Sequence, residues 1–328
     1  MTADAQRHVL RVASALGAVV LVVFLLRIAS PGGIVRLLGT TRPCAVAAAL
    51  AIHAVMLLLR GLRLRVLLPD SPPGPGTAWA ITAAGRVAAL FLPFRSGELV
   101  LPWLLRRHAG VPVATGVAVL VAARAFDLAA LGVWGTVSLL WLARGSTTAL
   151  GAAILLLVPL LILPVLAETA YRLARRCAAA RGLEARRIAR KVRRLRAALH
   201  GLARRPGRLA AAAGLSLAVW GAVWLLTWVL LAGMGHRWPL AVTVAGSAAA
   251  SIANLVPLNL VANVGTLEAG WTAGFVALGI PANEAAATGF ATHLWSLFFA
   301  VAAGAVGWAA LGLRTRSCRV HGDPPAAR

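Results

Sequence analysis

LFLPFRSGELVLPWLLRR, which spans Leu90 to Arg107, is apolar enough for a membrane yet contains a helix break near its middle. Pro93 lacks a backbone N–H donor and ends a helix, while Gly97 allows backbone angles that other residues avoid. Ser96 offers a hydroxyl that can cap a helix, and the carboxylate of Glu98 suits a helix start. The stretch therefore predicts a turn between two half-helices rather than a single transmembrane helix.

The whole chain is apolar and basic. It has 328 residues, 60% of them hydrophobic, and a mean hydropathy of +0.83. Several runs of about 17 residues or more carry few charges, and each is long enough for a bilayer core of about 30 Å. We predict an all-α polytopic membrane protein. Its three cysteines have no partner spacing, and we expect no disulfide, metal or cofactor.

The apolar runs predict about six full transmembrane helices, at residues 9–29, 43–59, 112–142, 147–167, 209–232 and 285–313. Two broken apolar hairpins, 77–107 and 239–280, lie between them. We divide the chain into an N-terminal membrane half, a basic segment, a C-terminal membrane half and a basic tail, at 1–167, 168–208, 209–313 and 314–328. In the alternative topology each hairpin arm crosses fully, which gives up to about ten crossings with the same parity.

Basic residues orient the chain. Its 33 Lys and Arg outnumber 9 Asp and Glu, and they cluster between the apolar runs. The positive-inside rule then places both termini, RGLRLR (Arg60–Arg65) and the basic segment in the cytoplasm, with an even number of membrane crossings between the basic segment and the tail. We expect the bacterial cytoplasmic (inner) membrane, contact with anionic lipid and no binding of nucleic acid.

The two hairpins resemble each other. Each has a proline, Pro93 or Pro257, and later a hydroxyl residue followed two positions on by glutamate, in Ser96-Gly97-Glu98 and Thr266-Leu267-Glu268. A long closing helix follows each hairpin, and the two units have opposite orientations. Paired interrupted segments of this kind are typical of inverted-repeat transporters, with a polar cavity near the midplane.

Three acids, Glu98, Asp127 and Glu268, are embedded in apolar sequence. An ionisable group at membrane depth is costly and is therefore a functional candidate. Two interpretations stand side by side for the glutamates. Either Ser96 or Thr266 caps a helix whose first turn contains the glutamate, or the glutamates line a polar cavity.

Arg124 and Asp127 are three residues apart and share a helix face. We favour a buried ion pair that holds helix to hairpin; in the alternative, Arg124 attracts a phosphate that Asp127 orients. Arg86 and Arg95 are similar candidates, since guanidinium binds phosphate through two donors. A further polar set fills the second break. It either satisfies freed backbone groups, which we favour, or binds a headgroup, and it comprises Asn254, Asn259, Asn263 and Gly265.

These motifs resemble the transmembrane-region family of lysylphosphatidylglycerol synthases, the membrane half of the multiple peptide resistance factor. The residues that carry the resemblance are LPFRSGE (Leu92–Glu98), RAFD (Arg124–Asp127) and VPLNLVANVGTLEA (Val256–Ala269). In the last motif Ala262-Asn263 replaces a glycine pair that is common in the family. The resemblance covers nearly the whole chain.

The resemblance implies lipid translocation. The family's synthases carry a cytosolic aminoacyl-transferase domain, which we do not find in this sequence, so synthesis is not implied. We expect Glu98 and Glu268 to titrate or to bind cationic headgroup parts, and Arg95 and Arg124 to hold phosphate. The lipid is a phospholipid, a glycolipid or a polyprenyl-linked lipid.

Two other functions remain open. The chain is either a non-transporting scaffold, which recruits a lipid-modifying enzyme or glycosyltransferase through its basic segment, or a membrane-embedded lipid transferase with Glu98 or Asp127 as base. The sequence has no P-loop, GxSxG, HExxH or dinucleotide fingerprint, so we do not expect an enzyme.

Overall fold

The computed structural model describes residues 21–68, 72–92, 97–143, 197, 201, 204–253 and 261–320, and these form helices and turns without a strand. The predicted span 147–167 and nearly all of the basic segment lie outside these residues. The helices are α1 (Leu21–Ala29), α2 (Pro31–Thr40), α3 (Pro43–Leu67), α4 (Pro75–Phe91), α5 (Val100–Ala109), α6 (Val113–Ala143), α7 (Pro206–Gly233), α8 (Leu240–Ala253), α9 (Thr266–Val276) and α10 (Ala282–Val320).

Among the described residues, four helices are long and apolar enough to cross a membrane. They are α3, α6, α7 and the part of α10 from Ala282 to Leu313. They correspond to four of the six predicted spans, which confirms an all-helical chain with several membrane-length helices. The count of six stays a prediction.

The first predicted span differs from the structure. The described part, α1, is followed by α2 at an angle of 64°, and the two could form one broken span or a re-entrant loop. The sequence interpretation ends the apolar run at Ala29 and misses α2. The bend has a local cause: Ser30 adopts a positive φ of 52°, and Pro31 begins the new helix. The Ser30 hydroxyl accepts a hydrogen bond from Gly33 N–H at 3.2 Å.

The second predicted span is too short. The sequence interpretation ends it at residue 59 and assigns Arg60–Arg65 to a cytoplasmic loop, whereas α3 continues to Leu67. Leucine and arginine are both good helix formers, so nothing local stops the helix. Arg63 is only 5% exposed, and its burial is tolerated because it has an acidic partner, described below.

The predicted hairpins consist of short helices. α4 and α5 have 17 and 10 residues, and α8 and α9 have 14 and 11. At 1.5 Å per residue these measure about 25, 15, 21 and 16 Å, less than a bilayer core of about 30 Å. Each described helix is thus shorter than a bilayer core, and the re-entrant arrangement stays a prediction.

Small residues bring α8 and α9 into backbone contact. Gly270 and Gly274 are four residues apart on α9 and face α8. A Cβ on Gly270 would lie 2.8 Å from the carbonyl oxygen of Ala249, and one on Gly274 would collide with the backbone of Gly246. This small-residue spacing is the usual means by which membrane helices approach closely.

The chain forms two compact units, each assembled from segments that alternate along the sequence. The first comprises Met1–His53, Arg86–Glu98 and Val223–Ala302; the second comprises Ala54–Gly85, Leu99–Ala222 and Ala303–Arg328. Two apolar clusters, one with Leu230 and Phe299 and one with Phe275, stabilise the first unit. A cluster with Ile81, Leu104 and Leu311 stabilises the second. The predicted division into sequential membrane halves stays a prediction.

Candidate functional site

The first polar cluster lies in the second unit and centres on Asp127 of α6. Arg63 of α3 approaches both carboxylate oxygens, with Nη1 at 2.5 Å from Oδ1 and Nη2 at 3.4 Å from Oδ2. Trp220 of α7 donates its indole N–H to Oδ1 at 3.2 Å. Three long helices thus meet at one carboxylate.

Further contacts complete what we term the Asp127 cluster, namely Arg60, Arg63, Arg124 and Asp127 with Ser216 and Trp220. Arg63 Nη1 also donates to the hydroxyl of Ser216 at 2.8 Å. Arg60, one turn before Arg63, attracts Asp127 electrostatically. Among the described residues, three arginines therefore lie near one carboxylate.

The members of the Asp127 cluster differ sharply in exposure. The side chains of Arg63 and Asp127 are 6% and 7% exposed, whereas that of Arg124 is 42% exposed. Arg124 Nη1 lies 3.5 Å from Asp127 Oδ2, a longer contact than that of Arg63. Arg63 is therefore the principal partner of Asp127, and Arg124 is the accessible edge of the cluster.

The Asp127 cluster lies midway along α6. Asp127 is 14 residues from Val113 and 16 from Ala143, about 21 Å and 24 Å along the helix at 1.5 Å per residue. An uncompensated charge at that depth is costly, so the acid needs its arginine partners. The predicted contact between Arg124 and Asp127 is present, but Arg124 is 42% exposed and lies on the same helix as Asp127, so the predicted buried pair between helix and hairpin is wrong. The sequence interpretation misses Arg63 as the main partner.

The second polar cluster lies in the first unit, at the start of α9. Glu268 is 1% exposed, and its Oε2 accepts the backbone N–H of Gly265 at 2.6 Å. Its Oε1 lies 2.5 Å from Nδ1 of His293 on α10, a side chain that is 7% exposed. We refer to these two side chains as the Glu268–His293 pair. Both oxygens of the carboxylate are thus engaged.

The turn before α9 has an unusual backbone. Ala262, Asn263 and Gly265 have positive φ angles of 59°, 60° and 97°. Glycine adopts such angles without steric cost and asparagine does so readily, but alanine does not. Glu268 stabilises the end of this turn through the N–H of Gly265.

The predicted helix caps need correction. Thr266 is not the N-cap of α9: the helix begins at Thr266, and Gly265 occupies the N-cap position. Glu268 does lie in the first turn, as predicted. Glu98 lies in a 3-10 turn at residues 97–99, ahead of α5, whose first turn contains no acid. Glu98 is half-buried.

The remaining predicted site residues are placed as follows. Arg86 and Asn263 are half-buried, and Gly97 is buried where a Cβ would collide with the backbone of Ala88 and Ala89. Pro93, Arg95, Ser96, Pro257 and Asn259 lie outside the described residues.

The sequence interpretation misses Arg63, Trp220 and His293 as site residues. The sequence did contain a signal for His293, because a histidine within a long apolar run is a functional candidate for the same reason as an acid there. Arg63 gave no such signal, since arginines at the end of an apolar run are what a cytoplasmic loop contains. Only the contact with Asp127 reveals its position.

Comparison with known proteins identifies the family. A model of the lysylphosphatidylglycerol synthase TM region matches residues 10–304. The chain belongs to this family. It is accordingly a membrane protein with several apolar helices, and the matched region includes both polar clusters. Comparisons with curated proteins and with solved structures each gave no match.

Proposed function

We propose that this protein translocates a lipid with a phosphate-bearing headgroup across the bacterial cytoplasmic membrane. The lipid is a phospholipid or glycolipid, or a polyprenyl-linked lipid. The observation that carries the proposal is the 42% exposed side chain of Arg124 beside the buried Arg63–Asp127 ion pair, in a chain of this family. The proposed lipid provides the phosphate charge that such an exposed guanidinium attracts.

The contacts within the cluster suggest a division of roles. Asp127 is held by Arg63 and Trp220 and orients the Arg63 guanidinium, so its role is to position. Arg124 has the accessible guanidinium and is the residue that would meet the lipid phosphate. A planar guanidinium binds phosphate oxygens through two parallel donors.

The same contacts argue against a catalytic role for Asp127. A carboxylate that accepts hydrogen bonds from a guanidinium and an indole is stabilised as an anion and makes a weak general base. We therefore propose a transport protein that is not an enzyme. A partner that modifies the lipid, or a glycosyltransferase, remains a proposal that rests on the basic segment 168–208.

We further propose an inverted-repeat architecture with both termini in the cytoplasm. Support comes from the order of elements: a pair of short helices, α4 and α5, precedes the long α6, and a second pair, α8 and α9, precedes the long α10. A reporter fused to the C-terminus, active only in the cytoplasm, tests the orientation. An inactive reporter in correctly inserted protein would contradict it.

The function is tested with purified protein in liposomes that contain a labelled anionic phospholipid. We expect label to leave the outer leaflet faster than in protein-free liposomes, and Arg124→Gln to slow it by about tenfold, since a charge-assisted hydrogen bond is worth about 1.5 to 3 kcal/mol. Arg36→Gln is the matched control, because Arg36 is an exposed arginine on α2. Equal rates with and without protein, for phospholipid, glycolipid and polyprenyl-linked substrates alike, would refute the proposal.

A further inference from the structure

The Glu268–His293 pair is too deeply buried to serve as an ordinary surface ion pair. The two side chains are 1% and 7% exposed, and they come from different helices, α9 and α10. Within the part of the chain that the structure describes, no third His, Cys, Asp or Glu joins them in a metal site. The ligand that a lone carboxylate–imidazole pair can bind reversibly near neutral pH is a proton.

The charge of the pair depends on its protonation. With one proton shared at the contact between Nδ1 and Oε1, the pair carries one negative charge. With a second proton it becomes neutral, either as glutamate with imidazolium or as glutamic acid with imidazole. The two states place different demands on the surroundings, because an uncompensated charge is costly in an apolar environment. The N–H of Gly265 and the start of α9 offset part of that cost in the charged state.

The surroundings of the pair include a hydroxyl suited to proton delivery. Thr272 is one turn after Glu268 on the same face of α9 and is 8% exposed. Among the described residues, its Oγ1 has no hydrogen-bond partner. A threonine in a membrane helix ordinarily bonds to a carbonyl of the preceding turn. This hydroxyl can instead bind a water molecule that carries a proton to the carboxylate.

Among the described residues, other titratable groups on the helices of the first unit are placed differently. Arg27 of α1 and Arg36 of α2 are exposed, and α8 carries no titratable side chain. His53 of α3 is buried and packs against Phe299 with ring centroids 5.9 Å apart. The acid of α10 in this unit, Glu284, has its own partner in His236.

We propose that the Glu268–His293 pair is the proton-binding site through which a proton gradient drives lipid movement, an inference that rests on the proposed function. One proton passes from the aqueous phase to the pair and later leaves it, with no bond to carbon formed or broken. Protonation of the carboxylate replaces a charge-assisted hydrogen bond to Gly265 by a weaker neutral one. The turn at residues 261–265 is thereby held more tightly when the carboxylate is charged and less tightly when it is protonated.

Liposomes with an imposed pH gradient test the coupling. A gradient of about one pH unit should shift the ratio of labelled lipid between leaflets by up to about tenfold for one coupled proton, since one pH unit corresponds to about 1.4 kcal/mol. In Glu268→Gln and His293→Asn the ratio should stay near that without a gradient. Variants are compared only where helix content and size-exclusion profile match those of the wild type.

A second pair of the same chemistry provides the matched control. His236 Nδ1 lies 2.9 Å from Glu284 Oε1, but these side chains are 17% and 35% exposed. His236→Asn and Glu284→Gln should keep the response to the gradient. If lipid crosses in the wild type but ignores the gradient, the proton site is refuted while translocation stands. If the control variants lose the response as well, the assignment to the buried pair is refuted.

If no lipid crosses in any assay, the result counts against the proposed function and leaves the proton site to be tested separately. A spectroscopic measurement that does not depend on transport provides that test. In the ¹⁵N NMR spectrum of histidine-labelled protein, the signal missing from His293→Asn belongs to His293. We expect this signal to change with pH and to respond differently in Glu268→Gln. A His293 signal that does not change with pH in the folded protein would overturn the proton site.

Discussion

His293 Nδ1 lies 2.5 Å from Glu268 Oε1, while the other oxygen of the same carboxylate accepts the N–H of Gly265. One side chain therefore caps α9 and joins it to α10. The arrangement explains why a glutamate occurs in an otherwise apolar stretch. It also means that the stability of the second hairpin depends on a side chain of the following helix.

Substitutions of the Glu268–His293 pair should be non-additive. Glu268→Ala loses both the cap and the contact, and His293→Ala leaves a buried carboxylate without its imidazole, each at a cost of about 3 kcal/mol. We expect the double variant to cost clearly less than the sum of the two. Thermal unfolding in detergent measures all three variants. Strict additivity would show that the two side chains do not interact.

Substitutions of Asp127 and Arg124 should differ in their effect on stability. Asp127→Asn leaves the buried Arg63 with an uncharged partner, and we expect a loss of about 3 kcal/mol in unfolding free energy. Arg124→Gln should cost less than about 1 kcal/mol, because its side chain is 42% exposed and solvent screens its ion pair. Chemical denaturation in detergent compares the two. A larger effect of Arg124→Gln would refute Arg63 as the principal partner.

The positive φ of Ala262 predicts a stabilising substitution. Ala262→Gly should raise the unfolding free energy by about 1 kcal/mol, because glycine adopts left-handed angles without the strain that a Cβ imposes. Ala273→Gly, at an exposed position inside α9, is the control and should lower stability by about 0.5 to 1 kcal/mol. Melting temperatures of the two variants report the difference. Destabilisation by both changes would contradict the assigned backbone angle.

The close approach of α8 and α9 predicts a steric defect. Gly274→Ala places a methyl group against the backbone of Gly246, and we expect a loss of about 1 to 3 kcal/mol from overpacking. Gly214→Ala is the matched control, since a Cβ there meets nothing within 4 Å. The control should be neutral or slightly stabilising because alanine favours helix. Equal unfolding temperatures for the two variants would argue against backbone contact between the arms.

The sequence predicts much of the secondary structure because bilayer thickness constrains apolar helices strongly. The predicted run 112–142 corresponds to α6, and 209–232 lies within α7, which begins slightly earlier at Pro206. The end of the first run at Ala29 was located correctly, because Ser30, Pro31, Gly32 and Gly33 follow it. The helix beyond this break, α2, was missed.

The partners of the buried acids could not be predicted from the sequence. The spacing of Arg124 and Asp127 predicts their contact because three residues along a helix bring side chains together. No such rule relates Arg63 to Asp127, which are 64 residues apart, or Glu268 to His293, which are 25 apart. These pairs depend on which helix faces pack together.

The amino-acid sequence by itself determined that the chain is helical and membrane-embedded, and that Glu98, Asp127 and Glu268 are its exceptional acids. Hydrophobic run length and the cost of buried charge are local properties, so they can be read residue by residue. Only the tertiary structure decided that Asp127 belongs with Arg63 and Glu268 with His293. A buried charge must find a partner across helices, and packing alone selects which one is within reach.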